Sequence, residues 1–538
     1  MTELFESRGA SRREFLTAAA ASSLWLLTPR MIRAAEADAP ADNPLAFLKL
    51  AWTDSLKWAN AVDVTKLPGG DIGEKLANAQ AALSAKGGGV AYFPAGTYKF
   101  KDSIKLLDGV VLRGASPGSI ASAKNEKFSP ETKFEFPKYE FSPEGDGTPI
   151  LSAFKGIVLD APATASNCGV VNIAINRGHV HFEETPEHKC GANRFVVGCV
   201  LRNAAQADPA VPYKADGQKM WQRFTYRFGA AIIVQAQANA LVANNRLAKS
   251  GEDNFEMKGY VMQDRKKSPA PVDGVVFDFD NRPGMYVNHQ NIGGPGGSGP
   301  DGTPETNPEG FRKGTVIRDN FIFNSGRLAI GFSGDGVECR GNIIRLAKDV
   351  WRPTATGRGM TFGSSTNDNR ACEMRGWRWT VADNDYEVHS NWDAEKKYLI
   401  NDGEGLMHED HANSTIKDSV LTGNKGNTYL SMYKTAGIDG LHIEGNEIRL
   451  GENRSGAAIF VDANRVSEAF PCRNVEIVKN TVAGGGILIC GTPAEKNAVK
   501  GNVCDGAKQK IMNQAGASLA DNKNFDVDET PWQAKKKK

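Results

Sequence analysis

Apolar residues in this 538-residue chain alternate over short runs, and β-branched runs of this kind outnumber any long pattern of helical period. One phrase recurs: an apolar residue, two positions, an asparagine, one position and a second apolar residue. It reads Val242-Asn245-Leu247, Ile317-Asn320-Ile322, Cys339-Asn342-Ile344, Val381-Asn384-Tyr386, Ile443-Asn446-Ile448, Ile477-Asn480-Val482 and Val499-Asn502-Cys504, with a weaker copy at Leu421-Asn424. Successive asparagines lie 22 residues apart from 320 to 342, from 424 to 446 and from 480 to 502. The intervals 342–384 and 384–424 are 42 and 40, close to two such units. Alternation turns one strand face inward, and the asparagine is expected where the chain bends, because it tolerates the left-handed conformation. Its amide can also bond to an asparagine in the next coil. A coil of this length with short strands is one rung of a solenoid, whose inward face is buried only by stacking. Propeller blades need roughly 40 residues and four antiparallel strands each. The pattern therefore predicts an all-β chain, a parallel β-helix.

Helical spacing occurs near the start. Ile72, Leu76, Ala79 and Leu83 fall on one helix face, and Gly87-Gly88-Gly89 ends it. Strands are then expected at Val90 to Pro94, Tyr98 to Phe100, Ile104 to Leu106 and Val110 to Leu112, with a turn at Ala95-Gly96. This helix, the glycines, Phe93-Pro94-Ala95-Gly96-Thr97-Tyr98 and Leu112-Arg113-Gly114 resemble the N-terminal cap and first rung of the pectate-lyase-like superfamily, which includes relatives of polygalacturonases. The resemblance implies a right-handed parallel β-helix that binds or cuts polysaccharides. Family chains usually carry Gly-Asp-Gly and an Asp pair before the helix, where Leu67-Pro68-Gly69-Gly70-Asp71 stands here.

The first residues form a different segment. Ser11-Arg12-Arg13-Glu14-Phe15-Leu16 sets two arginines before a mildly apolar run to Leu27, and Ala35-Glu36-Ala37 fits a cleavage site. This resembles a twin-arginine export signal, which implies Tat export machinery as a partner and a periplasmic or extracellular location. The expected division is 1–37 leader, 38–525 β-helix and 526–538 polar tail. No later stretch reaches the ~20 apolar residues of a membrane span, so a soluble monomer is expected.

Charge and cysteine change little. The formal charge is +2, and losing five Arg and four Glu with residues 1–37 leaves +1. A near-neutral body gives no basic field for nucleic acid. None of the eight cysteines forms a C-x-x-C pair. Cys339, Cys490 and Cys504 sit in alternating apolar segments and are read as core.

Long irregular stretches interrupt the rungs at 118–148, 205–227 and 291–311. Insertions from solenoid turns build the walls of a groove. The third lacks aromatic or charged anchors and reads as solvated decoration.

The densest ionisable cluster is 401–411. Asp402 and Glu404 alternate to one side, with His408, Glu409 and His411 behind them. Such carboxylates serve as acid and base or hold calcium, and the imidazoles carry protons or orient a hydroxyl. A polar turn is the plain alternative. Asp335, in an Asp-Gly pair, is a further catalytic candidate against the same alternative. Asp278, Asp280, Tyr286 and His289 form a second cluster, and Arg375 beside Trp377 could grip an acidic sugar; these six are the binding candidates. His179 and His181 share a strand face and read as surface residues. No cofactor is required by the sequence, and calcium is the ion the acids would suit.

The polygalacturonase set of Asn-x-Asp, Asp-Asp, Gly-His-Gly and Arg-x-Lys does not transfer. The chain has no Asp-Asp pair, and Gly178-His179 is followed by Val180. The expected function is a polysaccharide-cleaving hydrolase or lyase; the rival is a non-enzymatic glycan-binding or structural β-helix. Irregular rungs and bulky insertions favour the enzyme.

Overall fold

The computed structural model describes residues 39–531 outside the stretches 116–117, 119–127, 138–154, 161–162, 186–188, 203–230, 249–254, 262–269, 278–284, 288–302, 324–327, 347–369, 389–391, 394–397, 400–406, 410–414, 433–434, 451–455, 466–467 and 495. Three long sheets of 15, 13 and 12 strands run the length of the described chain. Every pairing between successive rungs is parallel, as at Val196↔Val242↔Ile317↔Cys339 in the first sheet. The chain visits the first, third and second sheets in turn, then repeats. This is the right-handed parallel β-helix expected from the repeat.

One row of each sheet faces the axis. In the first sheet it runs Val170, Val196, Val242, Ile317, Cys339, Val381, Leu421, Ile443, Ile477 and Val499, all buried in one continuous core. Cys490 and Cys504 are buried as well. At about 25 cal/mol per Å² of apolar surface removed from water, this stack is the main source of stability.

The corner between the first and third sheets is the tightest. Asn245, Asn320, Asn342, Asn384, Asn424, Asn446, Asn480, Asn502 and Asn522 stand above one another there. Each Nδ2 donates to the next Oδ1 at 2.9–3.1 Å. The bend itself differs from expectation. The left-handed residue is the one before each asparagine: Asn244, Asp319, Gly341, Asp383, Gly423, Gly445, Lys479, Gly501 and Asp521 all have φ between 53° and 65°. The ladder asparagine supplies hydrogen bonds, and its predecessor supplies the turn.

The helix Ile72–Ala85 caps the first rung, with Leu76, Ala79 and Leu83 buried. Asp71 accepts from the Glu74 N–H at 3.0 Å, and Glu74 accepts from the Gly70 N–H at 2.6 Å, satisfying two donors at its start. Residues 39–58 cross the outer face of the first sheet. Leu45, Leu48, Leu56 and Trp58 cover Val90, Val111, Phe195 and Leu241 in a second apolar cluster. At the other end, Phe525–Asp528 pairs with Gln509–Met512, so the described solenoid continues to 528.

Candidate functional site

Insertions single out one face. The first-to-third corner is short in every rung but the one between 114 and 132. Long connections instead enter the second sheet at 136–154, 203–231, 249–284, 347–369 and 389–406, and leave it at 183–193, 288–315 and 410–415. From Leu430 onward the connections into this sheet are short, as at 427–429 and 484–485. In the sequence, the middle strands of the second sheet thus have long connections before and after them.

Register defines what lies between these connections. The core row of this sheet runs Val180, Ile232, Met285, Ile330, Cys372, Met407, Leu430, Ile459 and Ile487. The next position on each strand gives the alternate row: Val158, His181, Ile233, Tyr286, Gly331, Glu373, His408, Ser431, Phe460, Leu488 and Met512. Its ionisable positions His181, Glu373 and His408 fall among these rungs, with Ile233 and Gly331 between them, and the row ends apolar at Phe460, Leu488 and Met512.

Two groups of described side chains stand on this outer face. The first is His179, His181 and Glu183, on and just after the strand Gly178–Phe182. Both imidazoles are buried, at 3% and 4% exposure, so their reading as surface residues is corrected. Their ring centroids are 4.0 Å apart, and His181 Nδ1 lies 3.1 Å from Glu183 Oε1. Burial pushes the His179 pKa well below its ordinary value, helped by the neighbouring His181. Burial works against the charge of Glu183, but the hydrogen bond and charge of His181 outweigh it and lower its pKa. Room for the His179 ring comes from Gly156, where a Cβ would lie 2.7 Å from Nδ1. The strand end is pinned by Arg194, fully buried, which donates to the carbonyls of Phe182, Glu183, Gln235, Ala165 and Ala163. Arg312 donates to Glu184 at 2.9 Å.

The second group is Glu373 and Arg375, on the strand Arg370–Trp377. Arg375 Nη2 lies 3.2 Å from Glu373 Oε1, with both side chains at least nine-tenths buried. Ser333, opposite Arg375 in register, is fully buried. Four strand spacings of about 4.8 Å separate His181 from Glu373, about 19 Å along the axis.

The sequence candidates distribute as follows. Arg375 lies on the outer face. Asp335 and Trp377 pair in register at the strand ends. Arg378 holds Asp335 at 2.7 Å and Lys313 approaches it at 3.7 Å. Trp377 Nε1 donates to Thr415 Oγ1 at 3.0 Å, and Lys417 and Arg378 sit over its ring at 4.9 and 5.6 Å. This arrangement anchors a corner. Tyr286 and His408 fall on the alternate row with Glu409 one position further, known by backbone register alone. Asp278, Asp280, His289, Asp402, Glu404 and His411 lie outside the described residues. Asp402 and Glu404 belong to the connection entering the strand Met407–Glu409, beside Glu373 in register.

A cavity of about 620 Å³ lies elsewhere, on the outer face of the first sheet. There Arg113 already donates to Asp42 Oδ1 at 3.0 Å and to its carbonyl at 2.8 Å. Among the described residues no group of three His, Cys, Asp or Glu is placed to hold a metal ion, and no helix is long and apolar enough to cross a membrane.

No protein-family model matches the chain, and no curated protein matches it. Solved structures resemble it at low identity. The catalytic unit of an α-1,3-glucanase from Streptomyces thermodiastaticus is 13% identical over 88% of this chain and 70% of that one, with a TM-score of 0.40. The tailspike protein of E. coli bacteriophage HK620, in complex with a pentasaccharide, is 13% identical over 86% and 76%, with a TM-score of 0.41. The surface adhesin PfbA of Streptococcus pneumoniae is 12% identical over 88% and 93%, with a TM-score of 0.40. The architecture rests on the parallel registers rather than on these likenesses.

Proposed function

We propose that the protein is an exported carbohydrate-active enzyme that cleaves a polysaccharide laid along the outer face of the second sheet. One observation carries this reading: a single outward line of that sheet bears His181, Glu373 and the positions of Tyr286 and His408, over the same rungs that carry the long insertions. Burying imidazoles, a carboxylate and a guanidinium outside the core opposes stability unless each is paired. Proteins concentrate such departures at functional sites. An extended row at one residue per rung suits an extended polymer. Within this reading Glu373 and Arg375 grip the chain, and a hydrolase would draw on Asp402 and Glu404 as its carboxyl groups.

A depolymerisation screen tests it. Pectin, polygalacturonate, alginate, carrageenan and neutral glycans are incubated with the protein, with and without calcium, following reducing ends and ultraviolet absorbance together. New reducing ends that fall at least tenfold in Glu373→Gln and Arg375→Met support the site. Reducing ends with absorbance mean a lyase, and without absorbance a hydrolase. Retention on an immobilised glycan with no product at all would replace the enzyme by a binding protein.

A further inference from the structure

We propose that the cavity between the strap 39–58 and the corner that follows Gly114 is a second carbohydrate site, which holds a short stretch of neutral glycan. It lies on the outer face of the first sheet, a different sheet from the Glu373 row, so binding here does not depend on cleavage there. Two excursions of the chain build it, and neither belongs to the repeat. The strap is anchored by Leu45 and Leu48, which are buried in the apolar cluster over the first sheet. Phe47, in the single 3-10 turn Ala46–Leu48, is left 37% exposed and lines the cavity. Of the large apolar side chains that stand exposed among the described residues, it is the aromatic one. The other excursion is the long corner between 114 and 132, which brings Glu131 to the wall. A volume of about 620 Å³ falls in the range of small-ligand sites, roughly 300–1,000 Å³.

The lining selects the chemistry of the ligand. Tyr92 and Arg113 are register neighbours on adjacent strands, and Asn172 stands at the corner of the next rung. Asn172 lines the cavity at 4% exposure, and its Oδ1 has no hydrogen-bond partner among the described residues. The turn it makes, at φ 56°, does not need an amide, since Gly341 and Gly445 make the same turn in later rungs. A buried acceptor left over at a cavity wall is what a ligand hydroxyl satisfies. Arg113 is already engaged, donating to Asp42 O at 2.8 Å and to its Oδ1 at 3.0 Å. With Asp42 and Glu131 in the same lining its charge is outnumbered, so the cavity disfavours an anionic ligand. Burial raises the Tyr92 pKa and keeps its phenol a donor. Carboxylates and an amide oxygen that accept, beside a phenol and a guanidinium that donate, match hydroxyls, which do both. Phe47 adds a flat apolar surface that suits the C–H face of a sugar ring. A polymer held here is tethered to the protein, which raises its local concentration at the second sheet.

Affinity electrophoresis tests the site without relying on activity. The protein is run through gels holding dextran, mixed-linkage β-glucan, arabinoxylan or galactomannan, and through a polygalacturonate gel, and retardation at several glycan concentrations gives Kd. At least one neutral glycan is expected to retard the native protein. Phe47→Ala is expected to raise that Kd about tenfold, and Asn172→Gly, which keeps the left-handed turn, about 3–10-fold. Thermal midpoints of both variants check folding. Glu373→Gln is expected to keep the retardation, because the Glu373 row lies on the other sheet. Retardation by none of the neutral glycans would overturn the proposal. Retardation lost in Glu373→Gln but kept in folded Phe47→Ala and Asn172→Gly would assign the glycan to the second sheet, overturning this site and leaving the enzyme reading intact. Retardation by polygalacturonate alone would overturn the neutral ligand.

Discussion

Replacing Asn446 by alanine takes out one rung of the amide ladder while leaving the backbone around it bonded. Asn446 is 1% exposed, and its Oδ1 accepts from Asn424 N at 3.0 Å and Asn424 Nδ2 at 2.9 Å. Its Nδ2 donates to Leu421 O at 3.0 Å and to Asn480 Oδ1 at 2.9 Å. Alanine removes these four bonds, yet Asn480 Oδ1 keeps the 446 backbone N–H at 2.9 Å. Two donors on Asn424 are left buried without an acceptor, and Leu421 O loses a donor. At about 1–3 kcal/mol for each of these three buried groups left unsatisfied, the cost is about 3–9 kcal/mol. Asn522 ends the ladder and is only partly buried; it accepts from Asn502 N and Nδ2 at 3.1 and 2.9 Å. Water can replace Asn522, so Asn522→Ala should cost about 1–2 kcal/mol. Urea unfolding of both variants measures the two costs. Hydrogen exchange at the Asn424 amide shows whether the loss is local, as a solenoid with nearest-neighbour coupling allows. An Asn446→Ala cost below 1 kcal/mol, or equal costs at both sites, would refute the view that buried amide satisfaction holds this corner.

Three further outcomes follow from particular side chains. Lys479 has φ 53° where four other rungs use glycine, so Lys479→Gly should stabilise by about 0.5–1 kcal/mol in thermal or urea unfolding. The surface ion pair it loses with Glu444 is screened and counts for little. Arg194→Met strands carbonyls that a buried guanidinium now caps, and should cost about 3 kcal/mol or more by urea midpoint. His179 has a folded pKa below its ordinary 6.5, so between those two values the unfolded chain binds the extra proton. Stability should be full above about pH 6.5 and fall as pH drops, by at most ~1.4 kcal/mol per pH unit, and His179→Leu should flatten that slope in unfolding curves across pH.

Legibility in the sequence tracked how local each signal was. The asparagine phrase exposed the rungs because each copy combines inward alternation with one fixed amide. Asn424, its weaker copy, proved a full member, bonded to Asn446 at 2.9 Å. Asn522 escaped notice because Lys523 and Asn524 follow it where earlier copies place an apolar residue. The left-handed turn was assigned to the asparagine although its predecessor carries it. That position is filled by Gly, Asp, Asn or Lys, a mixture without a motif. Alternation put His179 and His181 on one face but could not tell that this outward face is buried. Asp335 looked like an open Asp-Gly turn because Arg378 and Lys313, which hold it, come from other segments.

What made the site hard to read also explains how it is assembled. In a parallel stack, neighbours across rungs are set by register, and an insertion of any length leaves register intact. Tyr286, Glu373 and His408 are therefore scattered along the chain yet fall on one line. Strand alternation separates that line from the core row beside it, so the outer residues can change character without disturbing Val180, Ile330 or Cys372 inside. The chain uses this freedom along its axis. The early outer face of the first sheet is apolar and covered by residues 39–58. The middle of the second sheet carries His181, Glu373 and the position of His408, and its last rungs turn apolar at Phe460, Leu488 and Met512. Among the described residues, the rungs from His181 to His408 combine ionisable outer groups with long connections, which is why the proposed chemistry belongs there.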